Sequence, residues 1–463
     1  MKTKSVLFLL FLCFQSIFAQ DIQGAWEGSL SIQGTSLPLI FNIQKNGDSF
    51  QTTLDSPMQG AKGIPVKETT FVNNELQLSA PNLNLKYSGL FNGTAIEGTF
   101  VQNGASFPLV LTKMKAGTKA LVRPQEPQPP FDYPIEEVTF VNPKDKNTLA
   151  GTLTLPKNKK SFPVVVLITG SGAQDRNSTL FGHQPFAVIA HDFAQKGIGV
   201  LRLDDRGVGG SSKGGPEDTS ANFATDISSA IDFLYSKGYK NIGILGHSEG
   251  GLIAPMVAND NKKVQFVVSM AGPGIPIDRM MLLQNQSIMK AEGANANQIA
   301  TTTAFNEKVY AYIINYTGHN LKTDFKDYIK QEFKKPTQNQ GLTESQIDEF
   351  VSQQTSAITS PWYVYFLKCS PDAYWSKIKI PVLALNGTLD VQVKSAENLA
   401  GIQASLQKAG NKKATITELQ GLNHLFQEAK TGTVAEYATI EQTIAPKVLN
   451  TMSDWILKWA SKN

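Results

Sequence analysis

Short, almost uninterrupted apolar runs constrain this chain most. Phe162-Pro-Val-Val-Val-Leu-Ile168, Gly199-Val-Leu-Arg-Leu203 and Ile242-Gly-Ile-Leu245 are each the length of one strand, and helical stretches at 184–195 and 223–236 separate them. A strand apolar on both faces must be covered on both, and strands alternating with helices predict a parallel, doubly wound sheet. Strands at 137–140 and 148–155 precede these runs, and others follow at 264–270, 380–385 and 414–418. Residues 278–376 read as helical and polar, too long a segment for a plain loop, so an inserted helical cap over the sheet is expected.

The pattern before residue 135 differs. Residues 20–113 alternate apolar and polar in short stretches such as Leu37-Pro-Leu-Ile-Phe-Asn-Ile-Gln44, punctuated by Asn46-Gly47, Asn92-Gly93 and Asn103-Gly104. Asn-Gly accommodates the positive φ angles of two-residue hairpin turns, so an antiparallel meander is expected. Closure into a small barrel would remove its exposed edges. Gly24-Ala-Trp26-Glu-Gly28 is similar to the first strand of lipocalin-like barrels. Residues 114–134 hold five prolines and read as a linker, leaving 135–463 for the doubly wound domain.

Lys2 and Lys4 ahead of an apolar run from Val6 to Phe14, with Ala19 as a small cleavage-site residue, predict a secretory signal over residues 1–19. That run is short of the ~20 residues a membrane span needs, so stable membrane insertion is not expected. The exported chain would be periplasmic or extracellular. Without the signal, Cys369 is the only cysteine, which excludes an internal disulfide and is expected to be a buried apolar residue. A net charge of +4 with scattered lysines gives no support for nucleic-acid binding. No His/Cys/carboxylate cluster has metal-ligand spacing, and neither metal nor cofactor is expected.

Gly246-His247-Ser248-Glu249-Gly250 carries the chemistry. With 37 glycines, composition alone could produce such a pattern, so its context decides. The run follows a buried strand and opens the helical stretch 251–258, the strand–turn–helix context in which a serine hydroxyl projects above a sheet as a nucleophile. A serine needs a base to take its proton. Of the five histidines, His183 and His191 precede the serine, His247 lies inside the elbow pointing away from it, and His319 belongs to the cap. His424, in a loop after the last strand, remains. Asp390, after the strand 380–385, is placed to accept the His424 Nδ1 proton, with Glu418 the weaker rival inside a strand. The backbone N–H of Glu249 is one expected oxyanion donor, and that of Ser171 in Thr169-Gly-Ser-Gly172 the other, with Gly172 the near alternative.

From about residue 136 onward the chain resembles EstD-type bacterial esterases, close to the serine-aminopeptidase-like α/β-hydrolases. The resemblance rests on Gly170-Ser-Gly-Ala-Gln-Asp-Arg176, Gly197-Ile-Gly-Val-Leu-Arg-Leu-Asp-Asp-Arg-Gly207, the elbow, and Pro361-Trp-Tyr-Val-Tyr-Phe366 ahead of Asn386-Gly-Thr-Leu-Asp390. It implies an α/β-hydrolase fold and a carboxylesterase with Ser248, Asp390 and His424 as its triad. The expected substrates are small-molecule esters with small or medium acyl groups. Thr169 departs from relatives that carry His there. Asp175–Arg176 and Asp205–Arg206 are expected to be loop-ordering ion pairs. A peptidase acting at peptide N-termini would instead need a cap carboxylate for the amine, with Glu344, Asp348 and Glu349 as candidates. A binding protein with a degenerate hydrolase half is the reading from another class.

Overall fold

The computed structural model describes residues 22–32, 35–47, 49–56, 61–102, 105–114, 123–157, 159, 161–333 and 344–460. The expected signal over residues 1–19 and the Asn103-Gly104 turn lie outside the described residues. The chain divides into two compact units, Met1–Ala120 and Leu121–Asn463.

The first unit is a nine-stranded antiparallel sheet: β1 (Gly24–Ile32), β2 (Thr35–Asn46), β3 (Ser49–Ser56), β4 (Ala61–Val66), β5 (Glu68–Val72), β6 (Glu75–Ala80), β7 (Leu85–Phe91), β8 (Ala95–Gln102) and β9 (Ala105–Lys113). Their order is β4-β3-β2-β1-β9-β8-β7-β6-β5. Alternate residues turn inward, so Trp26, Phe41, Tyr87 and Phe100 share one core. Trp26 Nε1 donates to the Ile22 carbonyl at 2.7 Å and the Tyr87 hydroxyl to the Ile96 carbonyl at 3.0 Å, satisfying the polar tips of both rings. Hairpins do turn at Gly47 and Gly93, both at positive φ, but Asn46 and Asn92 stand one residue before each turn, with Asn46 paired to Ser49 and the Asn92 amide donating to the Ala95 carbonyl; β5 and β6 are joined by Asn73-Asn74, both at positive φ. The sheet curls until Thr69 Oγ1 of β5 donates to Thr52 Oγ1 of β3 at 2.9 Å. The expected barrel closure stops short of a backbone ladder between the edge strands β4 and β5. Lys67 alone connects them, one residue fewer than the shortest common hairpin loop.

The second unit is the expected doubly wound sheet. Its strands are β10 (Ile135–Val141), β11 (Thr148–Thr154), β12 (Val164–Ile168), β13 (Gly199–Leu203), β14 (Ile242–His247), β15 (Val264–Met270), β16 (Val382–Gly387) and β17 (Ala414–Leu419). They lie in the order β10-β11-β13-β12-β14-β15-β16-β17, parallel from β13 onward with an antiparallel β10–β11 edge. On β12, Val164, Val166 and Ile168 face α2 (Ser220–Ser236) and α3 (Glu249–Asp260), and Val165 and Leu167 face α1 (Pro185–Lys196) and α12 (Pro446–Ala460). Burial of both strand faces accounts for the uninterrupted apolar runs. The chain leaves β12 toward β13 and leaves β14 toward β15, so the strand order reverses between β12 and β14, where such sheets open a crevice at their carboxyl ends.

Between β15 and β16 stand the cap helices α4 (Ile277–Ala291), α5 (Ala296–Asn315), α6 (Leu321–Phe333), α7 (Glu344–Ile358), α8 (Pro361–Leu367) and α9 (Asp372–Trp375). α10 (Ser395–Lys408) and α11 (Val434–Tyr437) complete the unit. Within the proline-rich stretch, Arg123 donates to the Ala438 carbonyl at 2.7 Å and Gln125 to the Ile444 carbonyl at 2.7 Å, so its second half is pinned to this unit. Cys369 is buried among Leu252, Met256 and Phe366. No helix of the described residues is long and apolar enough to cross a membrane.

Candidate active site

β14 ends at His247, α3 begins at Glu249, and Ser248 alone makes the turn, at φ 55° and ψ −120°. A left-handed φ is strained for a non-glycine residue, and here the surroundings enforce it. A Cβ on Gly246 would stand 1.9 Å from the Gly250 carbonyl oxygen, and one on Gly250 2.3 Å from the Ile168 carbonyl oxygen. Glycine at both positions lets strand, helix and the end of β12 meet. The Ser248 N–H donates to the Met270 carbonyl at 2.9 Å, tying the turn to β15.

Asp390 and His424 come together as the sequence predicts. Asp390 follows β16 and is fully buried; its Oδ1 accepts from the amides of Gln392 and Val393, each at 2.8 Å, and its Oδ2 faces His424 Nδ1 at 2.8 Å. Two backbone donors and one imidazole fix the carboxylate in a single orientation. Glu418 is occupied elsewhere, accepting from Ser395 Oγ at 2.7 Å. His424 is placed against the elbow: its ring centroid lies 4.8 Å from that of His247, and His247 Nε2 donates to the His424 carbonyl at 2.9 Å. Burial, then the neighbouring His424, lowers the His247 pKa to about 4, so it is a neutral donor at ordinary pH. Asn423 braces the same loop by accepting from the amides of Leu425 and Gln427. No hydrogen bond joins the Ser248 hydroxyl to His424. Such bonds are often long in resting geometry and tighten toward the transition state.

The loop after β12 approaches the serine from the other side. A Cβ on Gly170 would stand 3.2 Å from Ser248 Cβ. The Ser171 and Gly172 amides, both considered as oxyanion donors, give their protons to no other group of the described residues. Thr169, the position of departure, has a distinct use: its hydroxyl donates to Asp205 Oδ1 at 2.9 Å and Oδ2 at 3.0 Å, and the Gln174 amide also donates to Asp205. Burial raises the Asp205 pKa to about 7.

Neither expected ion pair between sequence neighbours forms. Arg176 instead pairs with Asp204 at 2.7 Å and with Glu137, while Asp175 accepts from the amides of Asn177 and Thr179. Arg206 pairs with Asp145, Asp218 and Asp226. Adjacent side chains at a strand end diverge, which sends each arginine across the loop to partners remote in sequence.

Beside Gly170 and Glu249 lies a cavity of about 200 Å³ with largely apolar walls, among them Leu149, Leu167, Phe223, Ile253 and Trp362. Ser248 and His424 do not line it; Glu249, the residue after the serine, does. Glu344, one carboxylate considered for amine binding, is exposed at the start of α7, and the side chains of Asp348 and Glu349 lie outside those described. Among the described residues no cluster could hold a metal ion.

The profile of a family described as serine aminopeptidase, S33, matches residues 183–429, more than half of the chain. The chain belongs to the serine aminopeptidase S33 family. The α/β-hydrolase fold expected from the sequence is therefore the fold of this domain, and the matched span contains Ser248, Asp390 and His424. The expected similarity to EstD-type esterases is also found: the chain is 25% identical over 315 residues to esterase EstD of Thermotoga maritima, covering 67% of this chain and 66% of that protein, just under two thirds of its length. Among solved structures, an esterase of Pyrococcus furiosus superposes with a TM-score of 0.41 at 16% identity, covering 71% of this chain and 93% of that one. Est1E of Butyrivibrio proteoclasticus gives 0.38 at 14% identity, covering 70% and 99%.

Missing from the sequence reading were the supports supplied by His247 and Asn423. Only the repeated use of polar residues beside the expected serine and histidine hinted at them.

Proposed function

We propose that this S33-family chain is an exported serine hydrolase that cleaves carboxylic esters of small or medium acyl groups through an acyl-enzyme. The observation that carries the reading is the buried Asp390–His424 hydrogen bond at 2.8 Å, set against the elbow that holds Ser248 at positive φ. Ser248 Oγ attacks the ester carbonyl while His424 Nε2 takes its proton, and Asp390 holds the Nδ1–H tautomer and stabilises the imidazolium. The oxyanion is received by the Glu249 amide and the Ser171 amide, with Gly172 the alternative second donor. His424 returns its proton to the leaving alkoxide, and water attacks the acyl-enzyme by the same route in reverse. The cavity beside Gly170 and Glu249 supports a short apolar acyl group. Similarity to esterase EstD supports an ester, as distinct from an amide, as substrate.

Turnover of p-nitrophenyl acetate and butyrate, beside longer esters and aminoacyl-nitroanilides, tests this. Ester cleavage that falls to background in Ser248→Ala is expected; undiminished cleavage in that variant overturns the proposal, and cleavage confined to aminoacyl-nitroanilides would assign a peptidase. Export rests on Lys2, Lys4 and the Val6–Phe14 run. Protein recovered outside the cytoplasm should begin at Gln20, and an intact Met1 on exported material would contradict it.

A further inference from the structure

The carboxylate of Glu249 lies next to the nucleophile, is almost wholly buried, and has a role apart from that of its own amide. Its Oε2 accepts from Ser171 Oγ at 2.7 Å; its Oε1 accepts from Ser220 Oγ at 2.6 Å and from Trp362 Nε1 at 2.9 Å. These donors come from three separate elements: the loop after β12, the first residue of α2, and cap helix α8. A buried carboxyl group is tolerated only if its oxygens are hydrogen-bonded, and donors from three elements fix this one in a single orientation.

We propose that the Glu249 side chain is a positioning residue that ties the Ser171 turn, and through Trp362 the cap, into the oxyanion-binding geometry. The inference rests on the acyl-transfer reading above and extends it. Glu249 and Ser171 each have two functions in this arrangement: the backbone amides face the oxyanion, and the side chains bond to one another behind it. Ser171 is held at a second point, because Gln174 Nε2 donates to its carbonyl at 3.2 Å. Gly172 follows at φ 92°, so the turn has little regular structure of its own to fix the direction of the Ser171 amide. The bond to Glu249 supplies that direction. Trp362 extends the connection outward. Its ring stacks on Phe366 at 5.5 Å and its N–H reaches down to the carboxylate, giving Pro361-Trp-Tyr-Val-Tyr-Phe366 a function at the reacting centre as well as in the cap. The cap is thereby coupled to turnover through the Trp362 N–H as well as through the part of the cavity wall that Trp362 forms.

The test uses the full chain with p-nitrophenyl acetate, comparing Ser171→Ala, Trp362→Phe and the double variant. Ser171→Ala keeps the backbone amide and removes only the hydroxyl; Trp362→Phe keeps a six-membered aromatic ring in the cavity wall but removes the N–H together with the rest of the five-membered ring. Losing an oxyanion donor outright costs on the order of 10²–10³ in turnover. Loosening one by removing its tether should lower kcat about tenfold in each single variant, with KM changed less than twofold. Because both changes act through one carboxylate, the double variant should be no worse than about the weaker single. A trifluoromethyl ketone, which forms the oxyanion without turnover, should lose affinity in parallel with kcat. Unchanged kcat in Ser171→Ala, losses that multiply in the double variant, or losses confined to KM would overturn the tether. Fluorophosphonate labelling of the unmodified protein separates this from the underlying reading: absence of label at Ser248 overturns both, whereas label at Ser248 with unchanged Ser171→Ala kinetics overturns the tether alone.

Discussion

Replacing Asp390 with Asn probes the geometry through a single atom. Asp390 Oδ1 accepts two backbone N–H groups, those of Gln392 and Val393, both at 2.8 Å. In Asp390→Asn the amide oxygen must stay on those two donors, because turning the NH2 toward them would bury two donor–donor contacts at a cost of roughly 1–3 kcal/mol for each unsatisfied group. The amide nitrogen then occupies the place of Oδ2, 2.8 Å from His424 Nδ1. An NH2 can only donate, so Nδ1 must be the unprotonated nitrogen and the proton moves to Nε2. His424 would then present a donor where the mechanism requires an acceptor for the Ser248 proton. The same tautomer reversal in a serine protease triad lowers kcat by about 10⁴, equivalent to roughly 5.5 kcal/mol in the barrier. The expectation is a fall of about 10⁴ in kcat for p-nitrophenyl butyrate, with a melting temperature close to that of the unmodified protein because the shape and the backbone bonds persist. Activity within tenfold of the unmodified enzyme in a folded Asp390→Asn protein would refute the reasoning.

Acid should destabilise the fold through two buried histidines. His247 and His183 both have folded pKa values lowered from 6.5 to about 4, chiefly by burial. Each binds its proton more readily when unfolded, so its contribution is complete above about pH 6.5 and lost as pH falls through 4, on the order of 3 kcal/mol per histidine. Urea unfolding between pH 7.5 and 4 should show this loss, and its reduction in His247→Gln; a flat profile would contradict the burial argument. Gly250→Ala should push the end of β12 away from the elbow, since the new Cβ would stand 2.3 Å from the Ile168 carbonyl oxygen and 2.6 Å from that of Thr169, both backbone atoms. Overpacking of this kind costs about 1–3 kcal/mol, seen as a lowered melting temperature, and activity should fall more than tenfold; a variant with normal stability and turnover would mean that the turn can relax around a methyl group.

Strands buried on both faces were the most legible part of the fold. β13 (Gly199–Leu203) and β15 (Val264–Met270) have the bounds their apolar runs suggest, because runs this short suit a strand buried on both faces better than a helix. The elbow could be read because its glycines answer a local steric demand, and Asp390 and His424 because each sits just beyond a strand end. Partnerships spanning the sheet left no such trace. Glu249 meets Ser171, Ser220 and Trp362, and Arg206 meets Asp145 and Asp226, at sequence separations set by the crossovers and not by any period. Adjacent Asp-Arg pairs suggested local ion pairs for the same reason: a single sequence displays neighbours in the chain, while the sheet decides neighbours in space. The Asn73-Asn74 turn carries no Asn-Gly pair to mark it, although asparagine also tolerates positive φ.

The central claim is that Ser248 forms the acyl-enzyme, and covalent labelling tests it most directly. After treatment with a fluorophosphonate, peptide mapping by mass spectrometry should find one adduct, on the peptide containing Ser248. Loss of esterase activity should follow the extent of labelling, and Ser248→Ala should take up no label. An enzyme that is fully active yet unlabelled at Ser248, or that is inactivated by an adduct on another residue, would contradict the account.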